Sequence, residues 1–400
     1  MKVQAAISPL ESVMFDTLRR FEPELVEIRR SIHRHPELGF EESRTSDLVA
    51  EKLTSWGYEV HRGIARTGLV GVLKVGSSHK TLGLRADMDA LPIHEATAKP
   101  WASQIPNRMH ACGHDGHTTM LLGAARYLAE TRHFNGTLNL IFQPAEEALG
   151  GAQAMVDAGL FRRFPCDAIF GMHNMPGLPV GQFYFRSGAF MASADSLDVT
   201  IHGKGGHGAL PHTTVDPIVV AASITLALQT IVSRNVDTQH AAVITVGSIQ
   251  AGDVANVVPA TALMKLSVRA LDRQVRKLLL SRIEDVVRLQ AQSFGATATI
   301  EARHGTPVLM NDETQTRFAH GVAASLFGDS HAHYGAHPLM GSEDFAYMLD
   351  ANPNGCYFFI GNGDGEGSCM IHNPGYDFND GCLTPGAAMW AGLAEGYLKA

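Results

Sequence analysis

The chain has 400 residues, of which 45% are hydrophobic and 18% are charged, and its formal net charge at pH 7 is −8. This composition indicates a well-buried globular protein of about two or three domains and excludes a disordered chain. The acidic balance, with no dense run of Lys or Arg, gives no general attraction for nucleic acid or for an anionic membrane.

Five scattered cysteines do not form the pattern of a secreted disulfide framework. The first residues lack the apolar core of a signal peptide, and no run reaches the ~18 uninterrupted apolar residues of a membrane span. We therefore expect a cytoplasmic protein. Histidine is abundant, at 20 residues, and it is the commonest metal ligand, so the positions of these side chains matter for function.

Apolar periodicity predicts alternating helices and strands in the first part of the chain. The predicted helices are 11–34, 41–56 and 116–130, and the predicted strands are 67–75, 81–86, 136–142 and 167–172. Short apolar runs of this kind are typical of buried parallel strands. Their alternation with helices predicts an α/β sheet that is covered on both faces.

The pattern changes near residue 190, where longer β-rich segments begin. The predicted order is strand 196–203, helix 215–233, strands 241–252 and 260–270, helix 272–294 and strand 296–305. This β-α-β-β-α-β order is the split βαβ arrangement. After residue 305 the pattern returns to helix, strand, loop and a final helix over 385–399. We therefore predict one α/β domain, 1–189 with 305–400, interrupted by a smaller α+β domain, 190–304.

The densest polar cluster is MHACGHDGHT at 109–118, with one thiol, three imidazoles and one carboxylate among two glycines. Cys112 and His114 are separated by one residue, so an extended backbone would place both side chains on one side. A free cysteine with surface histidines near a helix start is the alternative interpretation. The density of ligand types favours a metal-binding or catalytic role.

Other polar groups follow predicted strands, where the ligands and catalytic groups of open α/β sheets gather. FQPAEE brings the adjacent carboxylates Glu146 and Glu147, which repel each other unless one binds a cation or holds a proton. One would then coordinate a metal while the other moves protons. GMHN brings His173. The alternatives are a solvated loop for the two carboxylates and a satisfied core side chain for the histidine.

Two further motifs extend this set. RADMDALP places Asp87 and Asp89 at another strand end, where each can act as a ligand or orient a histidine, and MIHNPGYDF places His372 in a loop. A set of Cys, His and Glu side chains suits zinc, manganese or a similar transition metal better than calcium or magnesium. More than four candidate ligands favour a site with two metal ions.

The predicted inserted domain carries its own polar run, HGKGGHGALPHTTVDP, with His202, His207 and His212 around glycines. A glycine-rich hairpin with incidental histidines is the alternative. Asn256 and Arg269 follow, and an arginine can hold a carboxylate bidentately. The sequence has no G-x-S-x-G nucleophile elbow, so nucleophilic catalysis by serine is poorly supported.

Several of these motifs together resemble a known family, the amidohydrolase branch of the zinc aminoacylase/carboxypeptidase superfamily. The similarity lies in RADMDALP, MHACGHDGHTTMLLGAA, FQPAEE, GMHN, the glycine-histidine run of 203–217 and LMGSEDFAYM. The resemblance implies a zinc-peptidase-like catalytic domain with a central mixed sheet flanked by helices. It also implies that the smaller α+β, ferredoxin-like insertion is a dimerisation and lid domain, in a homodimer or homotetramer.

The resemblance also implies roles for individual side chains. The family's ligands for two divalent transition-metal ions (zinc or manganese, with cobalt or nickel as alternatives) match Cys112, His114, Glu147, His173 and His372. The family's general base matches Glu146, and a histidine that reaches a neighbouring subunit's active site matches His207. Asn256 and Arg269 match positions associated with the substrate carboxylate. Other branches have a histidine at Asp87 and an aspartate at Cys112.

The activity that these similarities imply is hydrolysis of N-acyl or N-aroyl amino acids to a carboxylic acid and a free amino acid. A metallo-exopeptidase of the same superfamily, acting as a carboxypeptidase or dipeptidase, is the alternative. A metal-binding protein without activity is a further alternative, but a metal store has no need of a general base such as Glu146.

Overall fold

The computed structural model describes residues 9–363 and 369–399. Its α-helices are α1 (Pro9–Arg34), α2 (Ser43–Ser55), α3 (His114–Thr131), α4 (Glu146–Leu149), α5 (Gly151–Asp157), α6 (Leu160–Arg163), α7 (Pro217–Asn235), α8 (Arg273–Ser293), α9 (Glu313–Phe327), α10 (Phe345–Ala351) and α11 (Leu383–Tyr397). Its β-strands are β1 (Glu59–Ile64), β2 (Gly68–Val75), β3 (Thr81–Asp87), β4 (Gly136–Gln143), β5 (Ala168–Pro176), β6 (Phe183–Phe185), β7 (Gly188–Met191), β8 (Ser193–His202), β9 (Gly206–His207), β10 (Ala242–Gln250), β11 (Val257–Val258), β12 (Thr261–Ala270), β13 (Thr297–Thr306), β14 (Leu309–Asn311), β15 (Ala332–Tyr334) and β16 (Gly355–Gly363).

The chain divides into two compact units. The smaller unit consists of Ala189–Leu309 and Pro338–Ala346, and the larger unit contains the other described residues. The sequence pattern placed Pro338–Ala346 in the α/β domain. The structure groups this segment with the smaller unit, since the Ala192 N–H donates to the carbonyl of Leu339 at 3.0 Å, a long-range bond that sequence periodicity does not reveal.

An eight-stranded mixed sheet forms the larger unit, in the order β1-β2-β4-β3-β5-β16-β6-β15. Its centre, β4-β3-β5-β16, is parallel, and β1, β2 and β4 pair antiparallel at one side. The predicted central mixed sheet flanked by helices is confirmed. Strand β1 was not predicted, because its sequence, EVHRGI, is mostly polar. Such a sequence is typical of an edge strand with little buried surface.

The parallel centre places the ends of β3, β4 and β5 at one edge of this sheet. Asp87, the last residue of β3, is in register with Gln143, the last residue of β4. Helix α3 packs against α1 and α11 and is buried on nearly all sides, which explains its apolar composition. The motifs that follow β3, β4 and β5 are therefore brought to one side of the sheet, facing the start of α3.

The smaller unit has a four-stranded antiparallel sheet in the order β10-β12-β8-β13, with chain order β8-α7-β10-β12-α8-β13. This is the predicted split βαβ arrangement. Helices α7 and α8 pack on this sheet through stripes of apolar residues spaced by about one helical turn. The stripe of α7 consists of Val220, Ile224, Leu228 and Ile231, and the stripe of α8 consists of Val275, Leu279, Ile283 and Val287.

Among the described helices, α7 alone is long and apolar enough to cross a membrane, judged by length and composition. A third of its apolar window, 33%, is buried within the structure. The buried stripe lies in the core of the smaller unit, while Ile218, Val219 and Leu226 are exposed by 45%, 51% and 74%. The helix therefore has one face in the core and a second apolar face that residues 9–363 and 369–399 leave uncovered.

Candidate metal centre

Cys112 and His114 are brought together by a tight turn at Gly113. Gly113 has φ of +97°, and a Cβ there would lie 2.3 Å from the Asn174 side chain and 2.5 Å from the Tyr376 hydroxyl oxygen. Glycine is therefore required by both the backbone and the packing. Helix α3 begins at His114, two residues earlier than predicted, so a left-handed turn rather than an extended backbone sets this pair of side chains.

Glu146 and Glu147 form the first turn of α4, just after β4 ends. The turn passes through Ala145, which adopts the left-handed conformation at φ +53°. The backbone N–H of Ala145 donates to Oε1 of the buried Glu42 at 2.8 Å, and that of Glu147 donates to Oδ2 of Asp89 at 2.9 Å. The backbone on either side of Glu146 is thus held by side chains from distant parts of the sequence.

His173 lies near the end of β5 and is 7% exposed. Its Nδ1 lies 2.6 Å from the Asn174 carbonyl oxygen and donates to it, so Nε2 carries the free lone pair, 3.3 Å from Cys112 Sγ. The Asn174 side chain donates to the Cys112 carbonyl at 2.6 Å and accepts from the Tyr376 hydroxyl at 2.7 Å. This amide therefore locks the Cys112 turn against β5.

His372 lies on a loop and is the exposed member of the group, with half of its side chain accessible. Its backbone is left-handed, at φ +64°, and its N–H donates to the Ala111 carbonyl at 2.7 Å. Nε2 of His372 lies 3.2 Å from Oε1 of Glu147. A non-glycine residue in this conformation is uncommon, and the Ala111 bond holds it beside the thiol-bearing turn.

The five side chains predicted as metal ligands lie in overlapping trios whose ligand atoms are all within 4.8 Å of one another. Three of the trios that contain them are Cys112–His114–His173, Cys112–Glu147–His372 and His114–Glu146–Glu147, and a fourth joins His114 to Asp87 and His117. Cys112 is shared by the first two trios, which together include all five side chains. Glu146, the predicted base, lies beside this set.

The charges around the site fix the protonation states of its members. Burial raises the pKa of the Cys112 thiol well above its usual range, and the charges of Glu147, Glu146 and Asp87 raise it further. Burial alone would lower the pKa of His114, but Asp87 and Asp89 raise it to about 10. A cation at this site would reverse both effects, because it favours the thiolate and replaces the imidazole proton.

These residues fit a divalent transition metal. Nε2 of His114 is fully buried and has no hydrogen-bond partner among the described residues, and Asp87 Oδ2 lies 3.8 Å away. Its other nitrogen, Nδ1, lies 3.2 Å from Asp89 Oδ1, the arrangement by which a carboxylate orients a metal-binding imidazole. Burial and the nearby His117 lower the pKa of His173 well below its usual range, so this imidazole is neutral. Thiol, imidazole and carboxylate donors together suit zinc and similar ions.

The third histidine of the cluster, His117, is engaged by protein groups at both ring nitrogens. Nδ1 lies 2.6 Å from Asp87 Oδ1, and Nε2 accepts the Asn174 N–H at 3.0 Å. Burial would raise the pKa of Asp87, but His114 and Arg85 hold it well below its usual range. His117 therefore ties α3 to β3 and β5, the satisfied arrangement typical of a structural histidine.

The predicted site residues of the smaller unit lie in two places. His207 is exposed on β9, opposite Val257 of β11, and the carbonyl of the exposed Asn256 accepts the Gly208 N–H at 2.8 Å. These two residues are therefore neighbours. Arg269, in β12, donates from Nη1 to the Met340 carbonyl at 2.8 Å, so it also anchors Pro338–Ala346.

Sequence reasoning missed Glu42, Asn174 and Tyr376, three side chains that hold the site. Asn174 and Tyr376 lie inside motifs that were singled out for their histidines, so position next to a candidate ligand is the signal that could have found them. Glu42 lies in a run of acidic residues before α2 and has no such signal. Its burial is apparent only in the folded structure, where its carboxylate accepts the N–H of Ala145.

Known proteins of similar sequence and structure identify the family of this chain. Residues 83–396 match the model of peptidase family M20/M25/M40. A hippurate hydrolase of Campylobacter jejuni is 48% identical over 94% of this chain and 97% of that protein. The IAA-amino acid hydrolase ILR1-like 2 of Arabidopsis thaliana is 40% identical over 94% of this chain and 85% of that protein.

A solved structure from Bacillus subtilis, the YXEP protein described as a dinuclear metal binding peptidase, is similar with a TM-score of 0.81. The two sequences are 33% identical, over 95% of this chain and 99% of that one. The family match covers most of the chain and includes Cys112, Glu147, His173 and His372. The resemblance read from the motifs is thereby confirmed, and the chain belongs to peptidase family M20/M25/M40.

Proposed function

We propose that this protein is a metal-dependent amidohydrolase that cleaves N-acyl or N-aroyl amino acids to a carboxylic acid and a free amino acid. The observation that carries this proposal is the convergence of a thiol, three imidazoles and a carboxylate beside a second carboxylate, Glu146. The hippurate hydrolase and the IAA-amino acid hydrolase among its relatives support the substrate class.

Two divalent ions would be held by Cys112, His114, Glu147, His173 and His372. Support comes from the two trios that share Cys112, which together include all five of these side chains. The similar Bacillus subtilis structure is described as dinuclear. We propose zinc or manganese as the native metal, because sulfur and nitrogen donors disfavour calcium and magnesium.

When bound, such ions lower the pKa of a water and polarise a carbonyl oxygen. Glu146 accepts a proton from the attacking water and then donates it to the nitrogen of the leaving amine. The left-handed turn at Ala145 and the bond from the Glu147 N–H to Asp89 fix the backbone on either side of Glu146. Asp89 also orients the His114 ring through its contact with Nδ1. The hydrogen bond from His173 Nδ1 to the Asn174 carbonyl leaves Nε2 of His173 as the nitrogen available to a metal.

For the smaller unit we propose a role in dimerisation and substrate recognition. His207 would stabilise the oxyanion in a neighbouring subunit's site, and Asn256 and Arg269 would contact the substrate carboxylate. The uncovered apolar face of α7, with Leu226 exposed by 74%, supports a homodimer, or a homotetramer built from it. The five free cysteines support a cytoplasmic location.

The substrate class is tested by assaying the metal-loaded enzyme on hippurate and N-acetyl amino acids beside plain dipeptides. We expect the acylated amino acids to be hydrolysed with the higher kcat/KM. Preference for dipeptides would favour the exopeptidase alternative. Absence of hydrolysis over a broad acyl-amino-acid panel would favour a metal-binding protein without activity.

The residue roles are tested by three substitutions. Glu146→Gln keeps the shape but not the base, so it should retain bound metal while losing most turnover; a near-normal kcat would refute the role. Cys112→Ala should lower the bound metal measured by elemental analysis, and an unchanged stoichiometry would refute the ligand assignment. Mixed heterodimers of His207→Ala and Glu146→Ala should regain activity, and no recovery would argue against a shared site.

A further inference from the structure

Glu42 is a buried acid that the proposed mechanism does not use. Its side chain is fully buried, although it stands next to the exposed Glu41, just before α2 begins. Oε1 accepts the N–H of Ala145 at 2.8 Å, and Oε2 accepts the hydroxyl of Thr67. One carboxylate thus joins the start of α2, the turn between β1 and β2, and the turn that follows β4.

A structural role as a helix cap does not explain this side chain. Glu42 is the N-cap residue of α2, but its carboxylate makes no cap bond to that helix. The N–H groups of Arg44 and Thr45 in the first turn donate instead to the two carboxylate oxygens of Glu37 at 2.9 Å. The carboxylate of Glu42 is therefore directed away from its own helix and toward the Ala145 turn.

Ala145 is the residue that needs such a partner. It is fully buried and adopts φ of +53°, a conformation that costs a non-glycine residue about 1 kcal/mol or more. Its carbonyl accepts the Gly151 N–H at 3.0 Å, so the Glu42 bond satisfies its other backbone group. A buried N–H left without a partner would cost about 1–3 kcal/mol, enough to let this turn relax.

The turn is held on its other side by a second carboxylate. The N–H of Glu147 donates to Asp89 at 2.9 Å, so the residues immediately before and after Glu146 are both anchored by carboxylates. Burial, and then the charge of Asp89, raise the pKa of Glu42 to about 7, against the hydrogen bonds from Thr67 and Ala145. The fold therefore buries this acid even though burial disfavours its charged form.

We propose that Glu42 is a positioning residue for Glu146: by holding the N–H of Ala145, it fixes the left-handed turn from which the Glu146 side chain reaches the site. The inference rests on the proposed role of Glu146 as the base. A shift of about 1 Å in a catalytic group can cost about 100-fold in rate, so the turn need move only slightly to be felt.

The test measures kcat, KM and bound metal with hippurate at saturating metal. Glu42→Ala should lower kcat by about 10- to 100-fold with a KM within about threefold of wild type, and with unchanged bound metal. Glu42→Gln should keep kcat within about threefold, because its amide oxygen accepts from Ala145 and its amide group donates to Thr67. The control is Glu41→Ala, which should behave as wild type because Glu41 is 55% exposed.

Wild-type kcat in Glu42→Ala, or an equal loss in Glu42→Ala and Glu42→Gln, would overturn the proposal. So would a loss of kcat that follows a loss of bound metal. If Glu42→Ala does not fold, Glu42→Asp replaces it: the acid remains, but its oxygens withdraw by about 1.5 Å, so kcat should still fall, and wild-type kcat would overturn the proposal. Glu146→Gln is measured in parallel, so that failure of the proposed base can be distinguished from failure of the positioning role. A wild-type kcat in Glu146→Gln would refute Glu146 as the base, whatever the result for the Glu42 variants.

Discussion

Replacing Glu42 with glutamine should remove a pH dependence from the stability of this protein. Burial and the charge of Asp89 raise the pKa of Glu42 from 4.5 to about 7. An acid whose pKa is higher in the folded state contributes stability below its unfolded pKa, and this contribution is lost as the pH rises through the folded value. The wild-type protein should therefore lose stability between pH 5 and pH 8 relative to Glu42→Gln.

The size of the effect follows from the two pKa values. A shift of about 2.5 units corresponds to about 3 kcal/mol in total, of which about 2.5 kcal/mol falls between pH 5 and pH 8. Besides Asp89, the groups that face the carboxyl are the hydroxyl of Thr67 and the backbone N–H groups of Ala145 and of Glu42 itself, none of which titrates in this range. The other titrating groups are common to both proteins and cancel in the difference.

The assay is urea unfolding of the metal-free wild type and Glu42→Gln at pH 5, 6, 7 and 8. The free energy of unfolding of the wild type minus that of the variant should fall by about 2.5 kcal/mol over this range. Glu41→Gln is the matched control, because the Glu41 side chain is 55% exposed and should give a nearly constant difference. A difference for Glu42→Gln that stays constant within about 0.5 kcal/mol would refute the reasoning.

Three further predictions concern the site and its surroundings. Chelation of the metal should lower Tm, and re-addition at 100 times Kd should restore it by raising the free energy of unfolding by about 2.7 kcal/mol; an unchanged Tm would argue against a resident metal. Gly116→Ala should destabilise the protein by about 1–3 kcal/mol, since the new Cβ would lie 2.2 Å from the Phe378 ring, whereas Gly321→Ala, with open space in α9, should be neutral or stabilising in the same thermal melts. Tyr376→Phe removes the hydroxyl that donates to Asn174 and should cost about 1–2 kcal/mol in urea unfolding; no loss would show that this bond is not needed.

Much of the site could be predicted because each candidate ligand lies in a short motif that can be recognised in the sequence. Glu147 follows the apolar strand β4, and His173 lies in the second half of the apolar strand β5. Parallel strands bring their carboxyl ends to one edge of a sheet. Residue type and strand position were therefore enough to predict their neighbourhood. The family resemblance added the role of each side chain, and those roles stay predictions until the metal is measured.

The supporting contacts could not be predicted, since they join segments far apart in the chain. Glu42 meets Ala145 across 103 positions, and Asp89 meets Glu147 across 58. No periodicity encodes such pairs, because they depend on strand order and on turns such as that at Gly113. The polar edge strand β1 was missed for a related reason: it gains its place from pairing with β2 rather than from apolar residues of its own.

The assignment of Pro338–Ala346 to the smaller unit has a practical consequence for dissecting the protein. The polypeptide passes between the units four times, after Gly188, Leu309, His337 and Ala346, rather than twice as in a simple insertion. A fragment cut at Ala189 and Leu309 would lack the carbonyls that Ala192 and Arg269 use at Leu339 and Met340. Expression of the smaller unit alone should therefore include Pro338–Ala346, joined to Leu309 by a short artificial linker.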